Sequence, residues 1–426
     1  MVSGDKEWGG MAGIGIIGGG RAAGRRIDLD WLRIGAFGLL ILYHIGMLYV
    51  PWDFHVKSAH RLVALEPVML ATNPWRLSLL FLVSGAVTRL MAERMTASGL
   101  AAGRLRRLLP PLLFGIFVVV PPQSYLEAVE RAGYAGSFAA FYHDHYLAFG
   151  LEFCGTGRCL ILPTWNHLWF VAYVLAYSLL LAVPLAAAPG LLRRLEAAGT
   201  AACGGIGVLL WPALLLAAAR LLLFPRFGET HALLDDGWAH AAYGEVYLFG
   251  FVLARSAPVW AALVRWRHLA LALALAAYAA ILVLQALREP GVPPGPDWLV
   301  LRHLAQGIDQ WCAVAALLGY AHRYVRGDGP LRRYLTEAVF PWYILHQTAI
   351  ILAAHALKPL GLPAVAEAGL VLLATLAACG LGFEAGRRIP PLRPLLGLAP
   401  RRGTAPGRPA VAAQASTCST ATTSGT

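Results

Sequence analysis

Long apolar stretches alternate along the whole chain with short polar segments that are rich in arginine. A helix needs roughly 20 mainly apolar residues to cross the hydrocarbon core of a bilayer. None of these stretches alternates apolar and polar residues at every second position, so the pattern predicts helices rather than strands. We predict ten membrane-spanning helices, near residues 31–50, 76–94, 106–124, 167–188, 203–222, 244–260, 268–287, 300–320, 339–357 and 367–385.

The composition excludes a soluble protein. Of the 426 residues, 58% are hydrophobic and 14% are charged, and the mean hydropathy is +0.60. Soluble domains have roughly 45–50% apolar and about 25% charged residues. The same values exclude coiled coils, collagen-like chains and disordered activators. The predicted fold class is therefore all-α, a polytopic membrane protein of about ten transmembrane helices.

The distribution of lysine and arginine predicts the topology. A net charge of +12 would favour nucleic acid as the partner of a soluble protein, but basic residues also mark the cytoplasmic ends of membrane helices. With a cytoplasmic N-terminus, the inner segments carry 25 of the 35 Lys and Arg residues. We therefore expect both termini in the cytoplasm, a multi-pass location in the cytoplasmic (inner) membrane, the lipid bilayer as a partner, and no nucleic-acid partner.

The chain divides into three predicted segments. Residues 1–26 are a flexible cytoplasmic segment, residues 27–390 the ten-helix membrane domain, and residues 391–426, rich in Ala, Thr, Ser, Pro and Gly, a disordered cytoplasmic tail. Residues 13–18 match the nucleotide-binding pattern G-x-G-x-x-G. No predicted strand precedes them and the next element is a membrane span, so we interpret this match as chance.

Two of the six cysteines, Cys154 and Cys159, lie in a long loop, residues 125–164, that the topology places outside the cytoplasm. An oxidising compartment favours a local disulfide between them. A metal site that also uses the nearby His143 and His145 is the alternative. No pattern in the sequence points specifically to a metal, so we predict none.

The first predicted helix carries the clearest candidate for chemistry. Arg33 and His44 are eleven residues apart, almost three whole turns, so they share one helix face and lie about 16 Å apart along the axis. This spacing predicts Arg33 at the cytoplasmic edge and His44 near the middle of the membrane. Imidazole suits general-base catalysis near neutral pH, so His44 could take the proton of a hydroxyl group. Alternatively, a neighbouring helix carbonyl satisfies His44, and Arg33 only extends its charge to the surface.

A basic cluster begins the third predicted helix. Arg104, Arg106 and Arg107 could bind the phosphates of an anionic cytoplasmic donor such as coenzyme A, because guanidinium groups bind phosphate oxygens with paired donors. Topology alone would also explain their charge. In the second helix Ser84 precedes Gly85, a pair that is more typical of close helix packing than of catalysis.

Two further groups of polar and aromatic residues lie in predicted helices. His167 and Trp169 open the fourth helix, and Tyr343 and His346 lie in the ninth. An ionisable side chain within the bilayer has an unfavourable free energy, so such residues are usually paired or functional. Two intramembrane histidines, together with Asp309 and no ladder of alternating charges, favour a buried reaction site over an ion pathway.

Taken in order, these residues resemble the motifs of the acyltransferase-3 family of integral membrane acyltransferases, over about residues 26–388. Within that family the chain looks most like the glucans biosynthesis protein C subgroup. The matching segments are Asp30-x-x-Arg33 with His44, Phe81-x-x-Ser84-Gly85, Arg104-x-x-Arg107, His167-Leu-Trp169-Phe170, Asp235-Asp236-Gly-Trp238 and Tyr343-Ile-Leu-His346. The W-S-L-x-x-E pattern of many sugar O-acetylating members is absent, so no catalytic glutamate is assigned.

The resemblance implies an O-acyltransferase that moves a succinyl or acetyl group from cytoplasmic acyl-CoA, its donor substrate, to a hydroxyl of an extracytoplasmic glucan or other envelope carbohydrate. No bound cofactor is implied. The alternative is a polytopic transporter or exporter of a carbohydrate or lipid-linked sugar, without acyl chemistry. The sequence does not indicate an oligomeric state.

The same resemblance assigns roles to the candidate residues. His44 is the expected general base, oriented or polarised by Arg33, and Arg104 and Arg107 are the expected donor-binding residues. The residues expected on the acceptor side, or in support of the site, are Asp30, Ser84, His167, Trp169, Tyr343 and His346.

Overall fold

The computed structural model describes residues 26–149, 152–155, 158–289 and 291–399, and this part of the chain is built almost entirely of helices. The α-helices, in chain order, are α1 Ile27–Gly46, α2 Glu66–Leu70, α3 Arg76–Ala92, α4 Ala97–Phe114, α5 Pro121–Arg131, α6 Phe138–Asp144, α7 Trp169–Ala187, α8 Pro189–Cys203, α9 Gly207–Phe227, α10 Gly237–Ala239, α11 Glu245–Leu253, α12 Ala257–Ala286, α13 Pro296–Tyr324, α14 Pro330–Leu357, α15 Ala364–Arg388 and α16 Leu392–Leu395. Two π-helical turns, Gly115–Val119 and His240–Gly244, continue α4 towards α5 and α10 into α11.

Six helical segments of the described chain are long and apolar enough to cross a membrane: Ile27–Gly46, Ala97–Arg131, Asn166–Ala187, Gly207–Phe227, Ala257–Ala286 and Ala364–Arg388. The protein is therefore mostly helical and multi-pass, as its composition predicts. The four other predicted spans overlap α3, α11, α13 and α14, which are shorter or less apolar. The total of ten spans and the side on which the termini lie stay predictions.

The sixth and seventh predicted spans have different boundaries in the structure. A single helix over residues 244–260 is wrong, because α11 ends at Leu253. The Ser256 side chain then caps α12 by accepting a hydrogen bond from the amide of Val259. Arg255 and Ser256 are the polar residues at this break, and the apolar runs on both sides of them extend the hydropathy signal across it.

Packing of α14 against α1, α5 and α15 sets the geometry of the candidate site. At one end the buried guanidinium of Arg332 forms ion pairs with Asp30 of α1 at 2.5 Å and with Asp328 at 2.8 Å. Further along, Phe37 of α1 packs edge-on against Tyr343, with ring centroids 5.4 Å apart. These contacts hold α1 beside α14, so that histidines from the two helices meet.

A short antiparallel hairpin, β1 Glu152–Gly155 and β2 Arg158–Ile161, lies in the loop after α6. Cys154 stands opposite Cys159 and the two form the predicted disulfide. Their sulfurs are therefore not free to bind a metal, which removes the alternative of a site shared with the nearby histidines.

The two ends of the chain lie largely outside the described residues, which begin at Arg26 and end at residue 399. The glycine-rich match at residues 13–18 and the tail beyond residue 399 belong to the parts not described. The segment predicted to be disordered starts too early, because Leu392–Leu395 form α16 and Leu396 and Leu398 are buried against the bundle.

Candidate active site

His44 lies in the last turn of α1, two residues before the helix ends at Gly46. The prediction that it lies midway through a span is corrected, because α1 covers residues 27–46 rather than 31–50. The loop that follows folds back, and the Phe54 ring stacks on the imidazole with centroids 6.1 Å apart. His44 is half-buried.

A second imidazole supports His44. Nδ1 of His44 lies 2.9 Å from Nε2 of His346, and the two rings are stacked with centroids 5.0 Å apart. His346 is fully buried, and its Nδ1 lies 2.8 Å from the backbone carbonyl oxygen of Tyr343. A carbonyl only accepts, so Nδ1 of His346 carries its proton and donates it to that carbonyl.

The tautomers of both rings follow from this one carbonyl. Because Nδ1 of His346 carries the proton, its neutral ring offers the lone pair of Nε2, which accepts a hydrogen bond from Nδ1 of His44. The Nε2 atom of His44 then carries a lone pair, and it forms no hydrogen bond with any other described residue. The arrangement therefore leaves one basic nitrogen at the end of a hydrogen-bonded chain.

His167 supports this pair from the side instead of facing an acceptor. Its ring packs edge-on against His346 with centroids 5.1 Å apart, and only 6% of its surface is exposed. Its Nε2 lies 3.1 Å from the Ile344 carbonyl, and its Nδ1 lies 3.5 Å from the Gln123 amide nitrogen. Both ring nitrogens have protein partners, so of the two predicted places, on the acceptor side or in support of the site, the contacts favour support.

Tyr343 and Gln123 connect these helices further. The Tyr343 hydroxyl donates to the carbonyl of His167, which ties α14 to the start of α7. The buried Gln123 amide donates to Thr348 at 2.6 Å and accepts from Gln347 at 3.1 Å. Satisfied buried polar networks fix one arrangement of their members. Gln123 was missed from the sequence because a lone glutamine in an apolar run carries no motif.

Asp30 and Arg33 lie at the other end of α1. Asp30 pairs with the buried Arg332, so it holds helices together. Arg33 donates to the backbone carbonyl of Thr336 at 3.2 Å. It lies about 16 Å along the helix from His44, too far to contact that imidazole, whereas Nε2 of His346 lies 2.9 Å from its Nδ1.

The two arginines expected to bind the donor have different environments. Arg104 is buried, with 5% of its surface exposed; its Nε donates to the Ser178 hydroxyl at 3.0 Å, and it also donates to Thr88. The Arg107 side chain makes no hydrogen bond or ion pair within the described chain, and it lies within electrostatic range of Arg33 and Arg104. Of the pair, only Arg107 has a guanidinium without a partner among the described residues.

Ser84 and Trp169 have structural roles. The Ser84 hydroxyl donates to the Leu80 carbonyl of its own helix at 2.8 Å, so it is not poised as a nucleophile. A Cβ atom on Gly85 would lie 1.9 Å from the Tyr247 carbonyl oxygen, so this glycine allows α3 and α11 to pack closely. Trp169 is buried and stacks on His231, with centroids 4.0 Å apart.

Asp236 and Trp238, from the fifth of the matching segments, also have structural roles. Asp236, 1% exposed, accepts from the amide of Ala239 at 3.3 Å and from the Tyr173 hydroxyl at 2.8 Å. Trp238 is buried in the main apolar core. Both residues therefore build the turn that leads into α10 and α11.

The candidate site is a partly exposed imidazole that is supported by a second imidazole and surrounded by apolar helices. Such an arrangement is typical of an enzyme site within a membrane protein.

A family model described as an acyltransferase domain, that of the acyltransferase-3 family, matches residues 26–383, most of the chain. The chain therefore belongs to this family and is a membrane O-acyltransferase, which confirms the resemblance at the level of the family. Neither a curated protein nor a solved structure matches the chain.

Proposed function

We propose that the protein moves an acyl group, succinyl or acetyl, from cytoplasmic acyl-CoA to a hydroxyl of an extracytoplasmic glucan or related envelope carbohydrate, with His44 as the general base. The observation that carries this proposal is the chain from the Tyr343 carbonyl through His346 to His44. It leaves Nε2 of the half-buried His44 without a hydrogen-bond partner among the described residues. Membership of the glucans biosynthesis protein C subgroup is part of the proposal.

In the proposed reaction, Nε2 of His44 takes the proton of the acceptor hydroxyl while the hydroxyl oxygen attacks the thioester carbonyl carbon. The carbon–sulfur bond then breaks, and the coenzyme A thiolate takes the proton back from His44. The products are the ester and free coenzyme A, so no other reactant is needed. The resulting imidazolium shares its Nδ1 proton with His346, which stabilises the charge.

The proposed donor path runs along α1. Arg107 and Arg33 lie near the end where α1 begins, and His44 lies about 16 Å further along. The pantetheine arm of coenzyme A separates its phosphates from its thioester by a comparable length. Phosphates bound by Arg107 would therefore put the reacting carbonyl near His44, and such positioning supplies much of the rate enhancement in bimolecular transfer.

The proposed orientation puts the arginine end in the cytoplasm, with both termini, and the His44 end outside it, in the inner membrane. The basic residues of the inner segments support this orientation. So does the Cys154–Cys159 disulfide, because such bonds persist in oxidising compartments. A membrane-impermeant maleimide tests it. After reduction, intact cells should label Cys154 from outside, and labelling only in inverted vesicles would contradict the orientation.

A proteoliposome assay tests the function. The purified protein is inserted into sealed vesicles with acetyl-CoA or succinyl-CoA on one side and glucose oligosaccharides on the other. We expect thiol release together with oligosaccharides heavier by one acyl group. The assay is repeated with His44→Gln. Its matched control is His268→Gln, which changes an exposed histidine of α12. Movement of oligosaccharide across the vesicle with the thioester intact would contradict the proposal and favour an exporter.

A further inference from the structure

Arg76 begins α3 at the end of the bundle where α1 finishes, and within the described ranges its charge has no counter-charge. Its side chain is 5% exposed, and its guanidinium carbon lies 3.2 Å from the centre of the Tyr43 ring. The Nε and Nη1 atoms are buried, and no residue in the described part of the chain hydrogen-bonds to them. No carboxylate forms an ion pair with this arginine among the residues that the structure describes.

An unpaired buried guanidinium is costly, because removal of a charge from water is repaid only by a close partner. A fold that keeps such a group beside a reactive site gains from it only when a ligand supplies the negative charge. The orphaned N–H groups of Arg76 therefore point to an anionic atom that is present during the reaction.

Arg76 and His44 flank the same aromatic ring. The Tyr43 ring, which lies under the guanidinium of Arg76, has its centre 6.2 Å from the centre of the His44 ring. Arg76 also acts electrostatically on His44 and on Tyr243. The nearby carboxylate of Glu229 is engaged elsewhere, since it accepts a hydrogen bond from the Tyr243 hydroxyl at 2.8 Å.

We propose that Arg76 binds the oxyanion of the tetrahedral intermediate, a catalytic role that rests on the proposed acyl transfer. As the acceptor oxygen bonds to the carbonyl carbon and its proton passes to His44, the π-electron pair of the carbonyl moves onto its oxygen. The N–H groups of Arg76 donate to that oxygen. When the carbon–sulfur bond breaks, the carbonyl re-forms and the thiolate leaves with the proton from His44. Donors fixed in a dry site favour this charge strongly, because they need no reorganisation.

The test compares Arg76→Gln, Arg76→Lys and Arg76→Ala with wild type in the proteoliposome assay. Arg94→Gln is the matched control, because Arg94 is exposed just beyond the other end of α3. We expect Arg76→Gln to lower kcat by roughly 10²–10³-fold with little change in KM. Arg76→Lys should retain an intermediate rate, and guanidinium ion added to Arg76→Ala should restore part of the activity. Because Arg76 forms no ion pair among the described residues, Tm should fall only by what its contact with the Tyr43 ring contributes.

Four results would overturn the role of Arg76. A loss confined to succinyl-CoA, with acetyl-CoA unaffected, would show that Arg76 binds the carboxylate of the acyl group. A fall in Tm that accounts for the lost activity would show a structural role. Full kcat in Arg76→Gln, beside an active wild type, would exclude any role in catalysis. If wild type itself releases no thiol from either donor, the proposed function fails, and the role of Arg76 fails with it.

Discussion

Nδ1 of His44 lies 2.9 Å from Nε2 of His346, although 302 positions separate the two residues along the chain. This contact, with the bond from His346 to the Tyr343 carbonyl, fixes which nitrogen of His44 keeps its lone pair. Removal of the partner should therefore impair the base without removing it. We expect His346→Phe, which keeps a ring of similar size, to lower kcat about 10- to 100-fold with KM unchanged. Steady-state kinetics in vesicles measure this. An unchanged kcat would show that His44 needs no positioning partner.

Arg107 should contribute to donor binding and not to chemistry. A charge-assisted contact with phosphate is worth about 1.5–3 kcal/mol, so Arg107→Gln should raise KM for acyl-CoA roughly 10-fold or more while kcat stays close to wild type. The salt dependence of KM should also weaken. Arg106→Gln is the matched control, because Arg106 is exposed and its Nε donates to the Ala102 carbonyl of its own helix. Equal KM values for the two variants would contradict the assignment.

Arg104 should contribute to stability instead. It holds α4 against α7 and α3 through the hydroxyls of Ser178 and Thr88. Arg104→Met removes these buried hydrogen bonds, and we expect a loss of roughly 1–3 kcal/mol in the free energy of unfolding, seen as a lower Tm in detergent. KM for acyl-CoA should not change in the protein that remains folded. A higher KM with normal Tm would instead make Arg104 a donor-binding residue.

Lys57, in the loop after α1, predicts a pH dependence of stability. Its Nζ donates to the carbonyls of Met47 and Val50, both at 2.6 Å, and burial lowers the pKa of this amine to about 8. Between this pKa and the unfolded value, about 10.5, the unfolded chain binds more protons, so stability rises with pH through that window. The difference in Tm between wild type and Lys57→Met should therefore grow in favour of wild type from pH 7.5 to about 10.5. A constant difference would contradict the predicted shift.

Much of the fold could be predicted because hydropathy and charge act locally. Every predicted span overlaps a helix, and the pairing of Cys154 with Cys159 follows from their separation and compartment. The break between α11 and α12 could not be predicted in this way, because it depends on a cap at Ser256 within an apolar run. The ordered structure of residues 392–398 depends on burial against helices that are distant in the sequence, so no local pattern predicts it.

The site was predicted less completely, because its chemistry depends on contacts between distant segments. The sequence pointed to His44 and His346 separately, and only the packing of α1 on α14 shows that they form one unit. It also could not separate Arg104 from Arg107, since hydroxyl partners on other helices decide which guanidinium is occupied. Arg76 carried a usable signal, a charge at the start of an apolar span, but its lack of a partner is visible only in three dimensions.

The most direct test of the central claim is the rate of acyl transfer in His44→Gln, measured as thiol release and as mass gain of the oligosaccharide in the same vesicles. Glutamine keeps a donor that can reach His346 but cannot take a proton from an alcohol. We predict that kcat falls at least 10²-fold, the usual range for loss of a general base, with Tm close to wild type and His268→Gln fully active. Transfer at the wild-type rate in folded His44→Gln would contradict the account.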